Sequence, residues 1–222
     1  QIVQHMTRQF YTQGGGANVA ATAGLNRDQI GGIMMLGASQ GAFAGLNMGS
    51  FVQKGNQVNL NMDQGAMNKI SQFTKTAAKA LSSLIDIYGD ASVAELAAKA
   101  NQITGLNFNQ LGNAQVIQQR LASLRQTGVA MGVDTQTMFD MAAYANQMGG
   151  QMGLTGGFRG NVGVNAAIRG AEIFRSNQGQ AGSFRTATTS LQEIIGGQVR
   201  DAAGMSLDPV GRRRMALQMA IE

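Results

Sequence analysis

Side chains that could act as acids, bases or metal ligands are few in this chain and lie far apart. The only histidine is His5, which has no acid beside it in a short amphipathic stretch, so a surface or packing role is the simplest interpretation. The glutamates are Glu95, Glu172, Glu193 and Glu222, and cysteine is absent. Because metal sites need clustered His, Cys or carboxylate ligands, we expect no metal and no cofactor. No Gly-x-x-x-x-Gly-Lys-Ser/Thr phosphate loop is present either. We therefore expect this chain not to be an enzyme.

One basic cluster, Arg212, Arg213 and Arg214, stands out in a chain whose net charge is +5. Three consecutive arginines spread over most of a helical turn, so they form either an ordinary solvated face or a contact to phosphates of DNA or of lipid head groups. The remaining basic residues are dispersed, which is a mild attraction to anions rather than a nucleic-acid signature.

An uncharged stretch from Gln29 to Gln53 carries glycine at every fourth position, at Gly37, Gly41, Gly45 and Gly49. On a helix this spacing aligns the glycines in one groove, where another helix could approach closely. The spacing predicts one helix, started by a capping box of Asn26 and Gln29 and ended in the polar residues after Lys54. Three interpretations stay open: close helix packing, conditional insertion into a membrane, and a glycine-rich loop.

The composition favours helices throughout. The chain has 1 proline, no tryptophan, 14 methionines and 31 glycines, and only 13% of its residues are charged. Strands of a β-sandwich are usually rich in aromatic and β-branched residues and are separated by turn signals. Such strand segments are scarce here. We predict an all-α fold without a sheet, built of amphipathic helical hairpins within a larger assembly. Since the chain begins with Gln1 in the middle of a pattern, we expect it to be a piece of a longer protein.

The longest predicted helix, from Asp63 to Tyr88, has one apolar seam and an opposite face with lysines. The seam is predicted as the contact between identical subunits, and its central residues are Ile70, Phe73, Ala77, Leu81 and Leu84. The other face carries Lys69, Lys75, Lys79, Ser82 and Asp86. A capping box of Ser92 and Glu95 predicts the start of the next helix.

A short pattern of glycine, an apolar residue and a helix N-cap residue recurs along the chain. It predicts helix ends with glycine in the left-handed conformation, followed at once by a new helix. It occurs at Gly24-Leu25-Asn26, Gly105-Leu106-Asn107, Gly132-Val133-Asp134, Gly153-Leu154-Thr155 and Gly204-Met205-Ser206.

Three segments are predicted from these patterns: 1–61, with an N-terminal helix and the glycine-spaced helix; 62–149, with the long helix and helical hairpins; and 150–222, with a glycine-rich loop and C-terminal helices. In the middle segment, 113–131 and 134–148 are expected to pair as an antiparallel hairpin. Residues 149–163, rich in glycine, are expected to form a flexible turn or loop.

Gly-, Ala-, Gln- and Met-rich helices joined by glycine caps, as in LGNAQVIQQRLASLRQTGVAMGVDTQTMFDMAAYANQMGGQMG, resemble the large virion proteins of tailed bacteriophages, namely internal ejection proteins and tape-measure proteins. The resemblance implies a structural virion component that leaves the particle with or ahead of the genome and lines a conduit through the host cell envelope. Implied partners are copies of itself, other virion proteins, genomic DNA in a lumen, and the host membrane. A peptidoglycan-cleaving domain of such a protein would lie outside this chain.

Two other classes fit the same helices. A secreted pore-forming or secretion-system translocator protein would share the glycine-spaced helix and would make liposomes leak. An intracellular helical scaffold would share the packing but would not be found in purified virions.

Overall fold

The computed structural model describes residues 7–8, 10–11, 16–46, 50–54, 57–61, 63–89, 91–151, 153–154 and 156–176. Its regular elements are α1 (Gly16–Ala23), α2 (Arg27–Ser39), β1 (Ser50–Lys54), β2 (Gln57–Asn61), α3 (Gln64–Tyr88), α4 (Val93–Thr104), α5 (Leu111–Met131), α6 (Thr135–Gln151) and α7 (Gly156–Ser176). The helices dominate these residues, which confirms the predicted all-α class.

The chain forms two compact units. The first contains 1–101 and 106–123, and the second contains 102–105 and 124–222. These units differ from the three predicted segments. Helices α1 and α2 come from the predicted first segment and α3 comes from the second, yet the three helices pack together around one core. The predicted hairpin of 113–131 with 134–148 is also split between the two units. Helix α5 belongs to the first unit as far as Ser123, and the rest of the hairpin belongs to the second.

The core of the first unit is built around α3, whose bounds agree closely with the predicted helix. Asp63 caps its N-terminus by accepting a hydrogen bond from the backbone N–H of Ala66 at 3.1 Å. Gly89, at φ 64°, ends it. The apolar stripe predicted from the sequence is buried along the length of the helix. The large side chains there, Ile70, Phe73, Leu81 and Leu84, each gain roughly 1.5–3 kcal/mol over an exposed one.

The glycine-spaced helix predicted for 29–53 is wrong beyond Ser39. Helix α2 ends in a Schellman motif, in which Gly41 N–H donates to Ala38 O and Ala42 N–H donates to Gly37 O at 2.8 Å. Gly41 and Gly45 have φ values of 83° and 75°. Both values lie in the left-handed region that favours glycine, so these residues form turns instead of a helical groove. Gly49 lies outside the described residues.

A β-hairpin follows these turns and corrects the expectation of a chain without a sheet. Strands β1 and β2 pair antiparallel, with Ser50 opposite Asn61 and Lys54 opposite Gln57. Strand β1 ends at Lys54 and β2 begins at Gln57, so the two strands are consecutive along the chain.

The left-handed glycine of each junction is confirmed wherever it is described, but the predicted cap at Asn107 is wrong, because α5 begins only at Leu111, and Thr155 lies outside the described residues. Gly24, Gly105, Gly132 and Gly153 all have positive φ, between 66° and 86°. The N–H of the following apolar residue can then bond back into the ended helix, as Val133 does to Gly128 O at 2.9 Å. The fifth junction, at Gly204, lies outside the described residues.

The second unit contains a helix pair that the sequence analysis did not predict. Residues 149–163, expected to form a loop, instead provide the end of α6 and the start of α7, and these two helices pack together. Gly163 is buried, and a Cβ atom there would lie 3.2 Å from Asn146 Cβ and 3.4 Å from Ala142 O. The glycines of this stretch therefore permit close contact between helices.

Candidate functional surfaces

The described carboxylates whose surroundings shift their pKa are those that cap helices. Ser92 N–H and Oγ–H both donate to Glu95 Oε2 at 2.8 Å, which confirms the predicted capping box. These bonds, chiefly that from the Ser92 backbone, lower the pKa of Glu95. Asp134 caps α6, and the hydroxyl of Thr137, 2.6 Å away, is the main cause of its lowered pKa. A general acid at neutral pH needs a raised pKa instead, so neither group is tuned for that role.

Clusters of three or more His, Cys, Asp or Glu side chains that could hold a metal ion do not occur in the described part of the chain. His5, Glu193 and Glu222 lie outside it, as do Arg212, Arg213 and Arg214, so the phosphate contact predicted for the arginines stays a prediction. Glu172 is described and exposed, near the C-terminal end of α7.

Of the four glycines predicted to form a packing groove, Gly37 does lie at a close contact between elements. A Cβ atom on Gly37 would lie 2.6 Å from Phe73 Cε1 on α3 and 2.7 Å from Phe43 Cζ. At Gly41 and Gly45, such a Cβ would have no described residue within 4 Å apart from its neighbours along the chain. The described glycines of this set therefore serve two separate purposes, close packing at Gly37 and chain reversal at Gly41 and Gly45.

The predicted subunit seam on α3 is part of the interior of the folded chain. Its residues Ile70, Phe73, Ala77, Leu81 and Leu84 are between 0% and 2% exposed. Helices α1 and α2 cover this side of α3. The seam is therefore not free to contact another subunit, and its assignment as an oligomer contact is corrected: the chain itself covers the apolar stripe.

A cleft of about 630 Å³ lies between α2 and the start of α4. Gly32, Leu36 and Val93 contribute apolar surface to it, and Met35, 61% exposed, lines it as well. Its polar lining includes Asn26 and Gln29, which already bond each other in the predicted capping box. The cleft thus presents apolar surface, because the side chains of its capping residues are already hydrogen-bonded within their own helix. No motif in the sequence predicts this cleft, because the exposure of Met35 depends on how α2 packs.

The solvent side of α3 is basic. We call Lys69, Gln72, Lys75 and Lys79 the lysine face; all four side chains are exposed. The structure thus places the three lysines where the helical spacing predicted them, opposite the buried stripe.

A node of polar contacts joins α6 and α7 in the second unit. Asn146 is fully buried, and its Nδ2 donates to Gln102 O at 2.8 Å. Arg159 Nε donates to Asn146 O at 2.7 Å, and its guanidinium lies against Gly150, where a Cβ would be 2.9 Å from Arg159 Cζ. The arginine thus bonds a backbone carbonyl near the C-terminal end of α6, where positive charge is favourable. This arrangement stabilises the fold and offers no reactive group.

Within the described residues, no helix combines the length and the apolar character that crossing a membrane requires. Helix α2 ends at Ser39, short of the helix predicted for 29–53.

Comparisons with known proteins add no relative. A scan against protein-family models finds no match, and searches of curated proteins and of solved structures find none either.

Proposed function

We propose that this chain is a structural, non-enzymatic component of a tailed-bacteriophage virion, ejected with or ahead of the genome, whose copies form a conduit for DNA across the host cell envelope. One observation carries the proposal. The described ionisable groups with shifted pKa values are helix caps and a desolvated arginine, Arg120, while the remaining surface is rich in amides, hydroxyls and small residues. Such a chain supplies shape and surface rather than chemistry.

The low charge supports the same proposal on physical grounds. Charged residues make up 13% of the chain, about half of the roughly 25% that is usual for soluble domains. A surface of low charge holds neighbouring subunits apart less strongly, and it allows a polyanion to slide past where a strongly basic surface would hold it.

The proposed assembly requires contacts other than the α3 seam. Among the described large apolar side chains, Met35 and Val129 remain exposed, at 61% and 73%. Contacts between copies, with other virion proteins or with the host membrane would therefore combine small apolar areas with the abundant amide surface.

Mass spectrometry of purified virions whose genome encodes this chain tests the proposal. We expect its peptides in intact particles, together with ring-shaped or tubular multimers in electron micrographs of the released protein. Leakage of liposomes by the purified chain, together with its absence from virions, would instead support a pore-forming or translocator protein.

A further inference from the structure

In its central turns, the lysine face of α3 has no acidic residue beside its lysines; Asp86, on the same side of the helix, lies in the last turn. Between Gln64 and Ile85 the sequence contains three lysines and neither aspartate nor glutamate. The flanking acids lie at the two ends: Asp63 caps the N-terminus, and Asp86 is in the last turn. Across the central turns the helix therefore presents positive charge alone.

Helix stability does not explain this distribution of charge. Lys75 and Lys79 are four residues apart, where like charges repel on a helix surface. None of the three lysines has an acid three or four residues away along the helix. A basic residue in the last turn would suit the helix dipole, but that turn has none and carries Asp86 instead. Lysine is a good helix former, but no ion pair within α3 accounts for three lysines on one face, and Lys75 repels Lys79; this favours a role in contact with another molecule.

The dimensions of the lysine face match a nucleic-acid backbone. With a rise of about 1.5 Å per residue, Lys69 and Lys79 are about 15 Å apart along the helix axis, and all three lysines fall within about 120° of its circumference. One DNA strand places a phosphate about every 3.4 Å along its axis, so the face is about as long as four or five phosphates. Gln72, between the lysines, can donate further hydrogen bonds to phosphate or sugar oxygens.

We propose that the lysine face binds the phosphate backbone of duplex DNA without preference for sequence. A membrane-binding helix would need large apolar side chains beside its lysines, to enter the lipid. Between its lysines this face has the polar residues Gln72 and Thr76, since the larger apolar side chains of α3 are buried on the opposite side. We therefore infer that the lysines neutralise phosphates of a nucleic acid. The inference rests on the proposed function for its biological ligand, because it names the surface that would contact DNA in the conduit.

Binding of the purified chain to a fluorescent duplex of mixed sequence, measured by anisotropy over a series of salt concentrations, tests this inference. The variant K69Q/K75Q/K79Q removes three phosphate contacts. Its plot of log affinity against log salt should be shallower by about 2.7, and its affinity near 0.1 M salt should fall by roughly two to three powers of ten. The variant K69R/K75R/K79R keeps the charge and should bind like the original chain.

A charge-matched control, R27Q/K99Q/R169Q, removes three charges from other helices and should bind DNA far better than the glutamine variant of the lysine face. Equal loss in both variants would overturn the inference, because net charge alone would then account for binding. So would an unchanged slope in K69Q/K75Q/K79Q, or lysine-dependent binding to vesicles of phosphatidylglycerol and phosphatidylcholine without binding to DNA. Absence of the chain from virions would refute the proposed function and leave this result standing, so the two failures are distinguishable.

Discussion

The rings of Phe43 and Phe73 meet edge to face, with centroids 5.2 Å apart and an interplanar angle of 81°. Phe73 lies on α3, and Phe43 lies in the turns that follow α2. Gly37 lies beside both rings, where a larger residue would contact them at less than 3 Å. With Gly37, this contact joins α2, the turns that follow it and α3, and it depends on the missing side chain at Gly37.

Replacing Gly37 by alanine should destabilise the first unit, although alanine is the better helix former. The new Cβ would overlap Phe73 Cε1 and Phe43 Cζ. Overpacking of a well-filled core costs about 1–3 kcal/mol. Chemical denaturation followed by far-ultraviolet dichroism measures the change in the free energy of unfolding.

Gly31 provides the matched control on the same helix. A Cβ there would meet Thr7 Cγ2 at 3.4 Å, an ordinary contact. Gly31→Ala should therefore gain up to about 1 kcal/mol from helix propensity. If Gly37→Ala is as stable as Gly31→Ala, the close contact described here does not limit the packing.

Substitutions at Gly41 distinguish a turn from a packing groove. Its φ is 83°, and the space around it is open. Alanine and leucine should therefore cost similar amounts, about 1–2 kcal/mol each, from backbone strain. A packing groove would tolerate alanine and reject leucine. Comparing the two variants by thermal unfolding decides the matter: a leucine variant much less stable than the alanine variant would favour the groove after all.

Thr74 is a buried polar residue whose hydroxyl has no hydrogen-bond partner among the described residues. A buried hydroxyl without a partner is costly, so Thr74→Val, which keeps the shape, should raise the free energy of unfolding by about 1 kcal/mol. Thr137→Val is the control, since Thr137 Oγ1 donates to Asp134 Oδ2 and the loss of that bond should lower stability. Both changes are measured by denaturant titration. Destabilisation by Thr74→Val would mean that its hydroxyl is bonded in solution.

Asp134 should contribute a pH-dependent part of the stability of the second unit. Its pKa is lowered in the folded state, chiefly by the hydroxyl of Thr137. The stabilising contribution is therefore complete above the unfolded pKa, which is about 4, and is lost as pH falls through the lower folded pKa. Asp134→Asn keeps a side-chain acceptor for the cap but does not titrate.

Unfolding curves of the original chain and Asp134→Asn should thus converge as pH decreases from about 5 towards 2, with the original chain losing more stability. The shift at Glu95 is present in both proteins and cancels in the comparison. Parallel losses in the two proteins over this range would show that Asp134 has no lowered pKa.

Local sequence signals predicted helix ends well. The junctions at Gly24, Gly105, Gly132 and Gly153, and the capping boxes at Asn26 and Ser92, each depend on a few neighbouring residues, so one short pattern determines the conformation. The second half of the stretch 29–53 shows the limit of this approach. Spacing by four suggested a helix, but Gly41 is equally suited to a left-handed turn, and that turn allows Phe43 to reach Phe73.

Tertiary contacts were less predictable because several partners fit one apolar stripe. The apolar stripe of α3 was correctly identified. Helices α1 and α2 cover it, rather than another subunit, and this depends on the turns at Gly24 and Gly41. The glycines of 149–163 indicated flexibility when considered alone. Their role in the contact between α6 and α7 depends on Asn146 and Ala142, which lie opposite Gly163. The spacing of residues along the chain does not reveal this contact.

Quantitative mass spectrometry of virions before and after genome ejection tests the central claim most directly. The proposed function predicts that this chain is present in multiple copies in intact particles and depleted from emptied ones, while a capsid protein measured in the same samples is unchanged. Absence from intact particles, or full retention in emptied ones, would contradict it.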